Sequence, residues 1–577
     1  MWAYSSRSFA TATATATAWP RATMQRLKAV PARAWLLLGG VCVTAYTTDL
    51  PDRLTHLLAG TVRFLRSACQ VAFVALDYKL SLGSLEGPER EAKKHLVHLR
   101  SAQRILDLFL TNGGIFIKAG QHVASMQHVL PLEYTHTMKA CQDKAQCRPF
   151  HEVRQLVEKE IGNSLEEVFS SFEEQPFAAA SLAQVHRAVL REGGQPVAVK
   201  VQYPGLEKDV TADVLTISLL LRMVEKLFPE FEFGWLVREF EHNLPQELDF
   251  LQEGHNAERM NRIFTHHSQV FAPRVYWSWT TKRVLVMEFI EGCKVNDLHR
   301  LEEMGIDRTE VSQLLTEVFS EMIFVQGFFH ADPHPGNIMI RPSRRGTHPF
   351  EMVILDHGLY RQLTDDFRLH YCYLWKALLL RDEPNIRKYC TLLGAGDETY
   401  KVLVTMLTSR DQSRSSFAMS NDLTHEEVAL LQEYGAKYFG KIIEVLAAVP
   451  QQMLLLFKCN DLLRSVQMDL LLPVNYFLSM GKSAQQSITL HEDQRDPSVG
   501  GMLRHHWTAF LFRFRLWCYG IFMWLSSVWS SIQHRWWHRH RPVPHKQRWI
   551  DSYHSQPRPW SEERDGVLSG AAATAAG

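Results

Sequence analysis

Asp332 and Asn337 stand five residues apart in the run His330-Ala331-Asp332-Pro333-His334-Pro335-Gly336-Asn337. A second aspartate, Asp356, follows the apolar stretch that ends Ile354-Leu355. This order makes chemical sense in a fold that brings all three side chains to one cleft. The first aspartate then orients or deprotonates a nucleophile, while the asparagine and the later aspartate hold a divalent cation on phosphates. Taken singly, Asp-Pro and Asn-Ile are ordinary turns, and Asp-His-Gly after an apolar run is a strand ending in a turn. Order and spacing carry the argument, so they require an upstream half.

Pro196-Val197-Ala198-Val199-Lys200-Val201-Gln202 alternates apolar residues around a lysine and predicts a strand. Burying Lys200 is costly unless it meets a phosphate or a carboxylate; an edge-strand lysine reaching solvent is the alternative. The stretch Leu244 to Glu253 predicts a helix with Pro245 in its first turn. Asp249, Glu253 and Asn256 then share one helical face, either turned to Lys200 or solvated. Ahead of the lysine strand, Ala178, Ala179, Ala180 and Ser181 stand where a phosphate-binding loop would use glycines. Alanine keeps the side chain small but restricts φ, which predicts a stiffer loop. Arg283 to Gly292 alternates like a strand and loosens at the glycine.

In this order the segments resemble the aarF-domain-containing atypical kinases, the UbiB-like or ADCK family, over about residues 100 to 400. Lys118-Ala119-Gly120-Gln121 matches the family's Lys-x-Gly-Gln motif, and Ala178 to Gln184 its Ala-rich loop. Lys200 matches the strand lysine, Glu247-Leu248-Asp249 the Glu-x-Asp motif and Glu253 the helix glutamate. His330 to Asn337 and Asp356 match the catalytic and metal-binding segments. His357 departs, since most kinases carry Phe there.

The resemblance implies an α+β, bilobal protein-kinase-like fold with a family-specific N-terminal helical extension and membrane-anchoring segments. It implies ATP and Mg2+ as cofactors. Lys200 would pair with the phosphates and with Glu253; Asp332 would be the catalytic residue; Asn337 and Asp356 would ligate magnesium through hard oxygens. The Ala-rich loop would cover the nucleotide, with Met287 at the back of its pocket and the backbone of Glu288 to Ile290 meeting adenine. Lys118, Gln121, Glu247 and Asp249 would be regulatory, with Lys118 and Glu247 latching the cleft. Gly120 inside a helix costs about 1 kcal/mol and points to close packing. For His357, a ring satisfied by a backbone partner is favoured over a pH sensor. No Ala-Pro-Glu-like element follows Asp356. That favours a small molecule, a lipid head group or water as acceptor over a protein.

A chain of 577 residues exceeds one ordinary domain, and its formal net charge of +1 gives no handle for nucleic acid. The 9 cysteines are scattered as reduced thiols would be, and no Cys/His grouping has zinc spacing. Residues 1 to 48 hold Arg7, Arg21, Arg26, Lys28 and Arg33 and no acidic residue, with abundant Ser, Thr and Ala. This is the composition of a mitochondrial transit peptide or of a low-complexity tail. Residues 34 to 48 and 516 to 532 are the two candidate membrane segments. The second is framed by tryptophans and arginines, as an interfacial anchor, a short span or a Trp-rich core helix would be.

The expected organisation is a targeting and anchor segment over 1–60 and a helical extension over 61–165. A small lobe over 166–292 and a mostly helical large lobe over 293–490 follow. A Trp-rich, membrane-proximal segment and disordered tail complete 491–577. The function expected first is an atypical kinase or ATPase acting on or beside a lipid or isoprenoid-type small molecule at a mitochondrial membrane, without nucleic acid. A nucleotide-binding pseudokinase module and a Ser/Thr protein kinase are the alternatives.

Overall fold

A computed structural model describes residues 52–83, 85–125, 130–143, 147–179, 182–227, 246–344, 346, 348–408, 439–470 and 476–537. Candidate segment 34–48, Ala180, Ser181 and Pro245 lie outside the described residues.

The alternation around Lys200 sets the small lobe. Strands β1 (Phe169–Phe172), β2 (Ala178–Ala179), β3 (Ala183–Leu190), β4 (Pro196–Gln202) and, later in the chain, β6 (Val284–Glu288) form one antiparallel sheet. Its order is β1-β3-β4-β6, with β2 paired to β3. Successive side chains of a strand face opposite ways. Val197, Val199 and Val201 therefore go to one face, where they are buried with Val153, Leu156 and Val157 of the helix Phe150–Ile161. Full burial of each valine contributes about 1.5–3 kcal/mol. Ala198, Lys200 and Gln202 go to the other face, opposite Met287 and Leu285 of β6 in register.

The helical extension precedes this sheet. Helices α1 (Asp52–Leu82), α2 (Gly87–Asn112) and α3 (Ile115–Ser125) pack on one another, and α3 carries the Lys-x-Gly-Gln motif. A Cβ on Gly120 would collide with the Cys141 sulfur and lie 3.1 Å from Phe109. The close approach expected of that glycine is present.

The large lobe has a small sheet and a helical body. Strands β5 (Val270–Phe271), β7 (Cys293–Lys294), β9 (Ile338–Pro342) and β10 (Phe350–Ile354) pair in the order β5-β10-β9-β7. Strand β8 (Phe328–His330) pairs with β11 (Tyr360–Gln362). One apolar core joins this lobe, with Phe319, Phe324, Tyr371, Trp375 and Tyr476 fully buried. The architecture is kinase-like α+β, as the resemblance implied.

Two expectations are corrected. The helix predicted over Leu244 to Glu253 is interrupted: Gln246 and Glu247 are helical, Leu248 and Asp249 are not, and the helix that carries Glu253 begins at Phe250, where Asp249 caps it by accepting from the Leu251 and Gln252 amides at 3.1 and 3.3 Å. Segment 516–532 lies in the long C-terminal helix Val499–Trp537, and no described helix is long and apolar enough to cross a membrane. Arg504, Arg513 and Arg515 interrupt the first half of that helix. Ala509, Phe512 and Leu516 are buried, while Trp507, Phe510, Phe514, Trp517, Leu525 and Trp529 are exposed.

Candidate functional site

Strand β4 delivers Lys200 and the helix Phe250–Ile263 delivers Glu253 in its first turn. Lys200 Nζ lies 2.6 Å from Glu253 Oε1 and 3.5 Å from Asp356 Oδ1. Glu253 is buried, so Lys200 answers the first of the two readings left open for it. Burial opposes charge on the lysine, but Asp356 and Glu253 outweigh it and hold the ammonium protonated. Burial, with Asp356 nearby, pushes the Glu253 carboxyl up, against the pull of Lys200. Asn256, on the same helical face, is buried and donates to the His357 carbonyl at 2.9 Å. Asp249 is spent on the helix cap, so the three polar residues do three different jobs.

The turn between β8 and β9 places Asp332 and Asn337. His330 ties it to Asp356. Its Nδ1 accepts from the Asp332 backbone amide at 2.9 Å, which leaves Nε2–H to donate to the Asp356 carbonyl at 2.6 Å. The Asn337 amide nitrogen donates to the Asp332 carbonyl at 3.1 Å. Its amide oxygen is then the group it can offer a cation. Asp356 Oδ1 accepts from the Gly358 amide at 3.0 Å. Burial would raise the Asp356 carboxyl, but Lys200 and that amide hold it well below the usual range. An ionised carboxylate and an amide oxygen are hard donors and fit magnesium.

Lys458, which the sequence reading did not single out, reaches Asp332. It projects from the helix Gln451–Asp469 and places Nζ 3.0 Å from Asp332 Oδ1. Burial would raise the Asp332 carboxyl; Lys458 first and Lys118 second reverse that and keep it ionised. A lone lysine inside Leu454-Leu455-Leu456-Phe457 and Cys459 was the available signal.

Lys118 and Glu247 meet as expected, with Nζ 2.5 Å from Oε2. Burial disfavours the Lys118 charge, and Glu247 and Asp332 more than restore it. Gln121 turns away from Glu247 and donates to the Cys141 carbonyl at 3.1 Å. His357 is buried with both nitrogens used: Nε2–H donates to the Ile354 carbonyl at 2.8 Å, and Nδ1 accepts from the Tyr360 hydroxyl at 3.0 Å. Burial lowers it to about 3, so the ring is neutral, as the backbone-satisfied reading required.

Among the residues expected to meet a nucleotide, Ala178 and Ala179 pair with Val185 and Gln184 of β3. Met287 lies in register with Ala198. The Glu288 and Phe289 amides donate to the Arg274 and Pro196 carbonyls at 2.8 and 3.2 Å. Glu288's carboxylate pairs with Arg344 at 2.7 Å, and Ile290 is buried.

Residues 140–390 match the model of the ABC1 atypical kinase-like domain. AarF domain-containing protein kinase 1 of Xenopus laevis is 46% identical over 414 residues, 71% of this chain and 79% of that one. The chain belongs to the AarF domain-containing kinase family. The mouse AarF domain-containing protein kinase 1 is 41% identical, covering 79% of this chain and 87% of its own. A Dictyostelium discoideum relative in the family, named a probable serine/threonine-protein kinase, is 38% identical over 78% of this chain and 65% of its own.

Proposed function

We propose that the chain binds Mg-ATP and turns it over as an atypical kinase or ATPase, acting on or alongside a lipid or isoprenoid-type small molecule at a mitochondrial membrane. The observation that carries this reading is Asp332, held ionised by Lys458 and Lys118 and joined through His330 to the Asp356 that meets Lys200. Lys200 would contact the α- and β-phosphates, with Glu253 fixing its position. Asn337 and Asp356 would hold magnesium, which offsets charge on the phosphates when bound. Asp332 would orient the attacking hydroxyl or water. Lys458 would neutralise charge on the phosphoryl group as it passes Asp332. Adenine would meet the Glu288 carbonyl or the backbone of Ile290, because the Glu288 and Phe289 amides are committed elsewhere. Ala178 to Ser181 would cover the phosphates.

The short path after Asp356 favours a small acceptor. Strand β11 returns onto β8, and a helix starts at Asp365, with no platform for a peptide between them. The serine/threonine-kinase name of the Dictyostelium relative motivates the protein-kinase alternative, which that short path disfavours. The exposed aromatic stripe on the C-terminal helix supports the membrane part of the reading. Trp507, Phe510, Phe514 and Trp517 stack in succession at 5.5 to 6.2 Å, with arginines between them, as in a helix lying in a lipid interface. The basic, acid-free first 48 residues support the mitochondrial part.

Phosphate release from ATP by the full chain, with and without anionic lipid vesicles, tests the reading. Stimulation by vesicles that is lost on Trp507→Ala with Trp517→Ala supports action at a membrane. Equal release in both conditions removes the membrane from the proposal, and nucleotide binding without release favours the pseudokinase module.

A further inference from the structure

Two adjacent histidines and a distant glutamate converge outside the cleft. The helix Phe250–Ile263 ends at Phe264, and His266 and His267 follow. The π-helix Glu321–Gln326 opens at Glu321. His266 Nε2 lies 3.0 Å from Glu321 Oε1, and His267 Nε2 lies 3.0 Å from Glu321 Oε2. One ligand atom from each of the three falls within 4.8 Å of the others. We propose that His266, His267 and Glu321 bind a divalent transition-metal ion of the zinc or cobalt class.

Tetrahedral ligands at about 2.0–2.1 Å from the ion stand roughly 3.3 Å apart. Glu321 Oε2 lies 3.3 Å from His266 Nε2 and 3.0 Å from His267 Nε2, so one carboxylate oxygen already faces both rings at close to that spacing. Two imidazoles and one carboxylate suit zinc, cobalt, nickel or copper, and not magnesium or calcium, which take oxygen ligands. The site also has a supporting layer. Gln326 donates to Glu321 Oε1 at 3.0 Å and fixes the carboxylate. Phe264 stacks on His266 and tilts against His267, at 6.0 and 5.7 Å between ring centres. His266 is more than half exposed, which leaves the ion a way in and a fourth position for water. A scan for Cys/His spacing misses the group because its carboxylate arrives from another helix.

Its place gives the ion a consequence. The histidines follow the helix that carries Glu253, and Glu321 begins the segment that runs through β8 to His330 and Asp332. A bound ion therefore joins the two elements that hold Lys200's partner and the catalytic turn.

The test is titration of chelator-stripped full chain with cobalt(II) chloride, read in the visible d–d bands, and with zinc chloride by calorimetry. One saturable equivalent with histidine-type bands is expected, unaffected by millimolar magnesium. Affinity should fall at least about 10-fold in Glu321→Gln, and further in His266→Ala with His267→Ala. Absence of a saturable equivalent in the wild-type chain overturns the proposal without any variant. So does an equivalent that persists in the folded double variant, or one that magnesium displaces.

Discussion

Lys458 Nζ sits 3.0 Å from Asp332 Oδ1, joining a helix beyond the ABC1-like segment to the turn between β8 and β9. The contact keeps the aspartate ionised and puts a positive charge beside it. One side chain thus sets the state of the carboxylate and, in the proposed reaction, would also offset the charge of a passing phosphoryl group.

Lys458→Met should therefore lower kcat for ATP turnover by about 10- to 1000-fold with little change in KM, the pattern of an interaction made in the transition state. Steady-state rates at pH 7 measure both. An unchanged kcat would remove Lys458 from the chemistry at Asp332.

Lys118→Ala breaks the 2.5 Å pair with Glu247. The expected outcome is a rise in basal ATP turnover or autophosphorylation, because the helix Ile115–Ser125 loses its tie across the cleft. Glu247→Gln should act in the same direction. Unchanged rates in both variants would make the pair structural and nothing more.

Asp356→Asn should abolish the magnesium dependence of nucleotide affinity. Nucleotide titrations with magnesium and with a chelator check this. Wild-type chain should bind at least about 10-fold more tightly with the metal, and the variant equally in both.

Acid sensitivity follows from His357. The buried ring is held neutral, with its folded value lowered to about 3 against 6.5. A base whose folded pKa is depressed contributes stability that is complete above about pH 6.5 and is lost as pH falls towards 3. One proton is worth about 1.4 kcal/mol per pH unit in that window. His357→Phe, which no longer titrates, should flatten the decline of Tm between pH 6 and 4 relative to wild type. Parallel declines would show that His330 and other groups carry the acid limb.

Much of this arrangement is legible along the chain, for stated reasons. Lys200 stands out because strict alternation on β4 assigns it a face, and Asn337 and Asp356 because their spacing is local. The Lys118–Glu247 contact came from motif resemblance, since no local pattern joins a helix of the extension to the start of the Glu253 helix. Lys458 was missed because a lone lysine in an apolar run marks a buried charge without naming its partner, which here is a turn far behind it in sequence. Pro245 suggested one helix through to Glu253, but the capping carboxylate of Asp249 starts a new one at Phe250. The tryptophans of the C-terminal helix fitted an interfacial anchor, a short span or a core helix alike; Trp507, Trp517 and Trp529 are exposed on a helix that buries Ala509, Phe512 and Leu516.

Phosphate release from ATP by the full chain, compared with Asp332→Asn, tests the central claim most directly. The account predicts magnesium-dependent release that falls at least about 100-fold in the variant while nucleotide affinity is kept. Equal release by both proteins would contradict it, because Asp332 would then have no part in the chemistry.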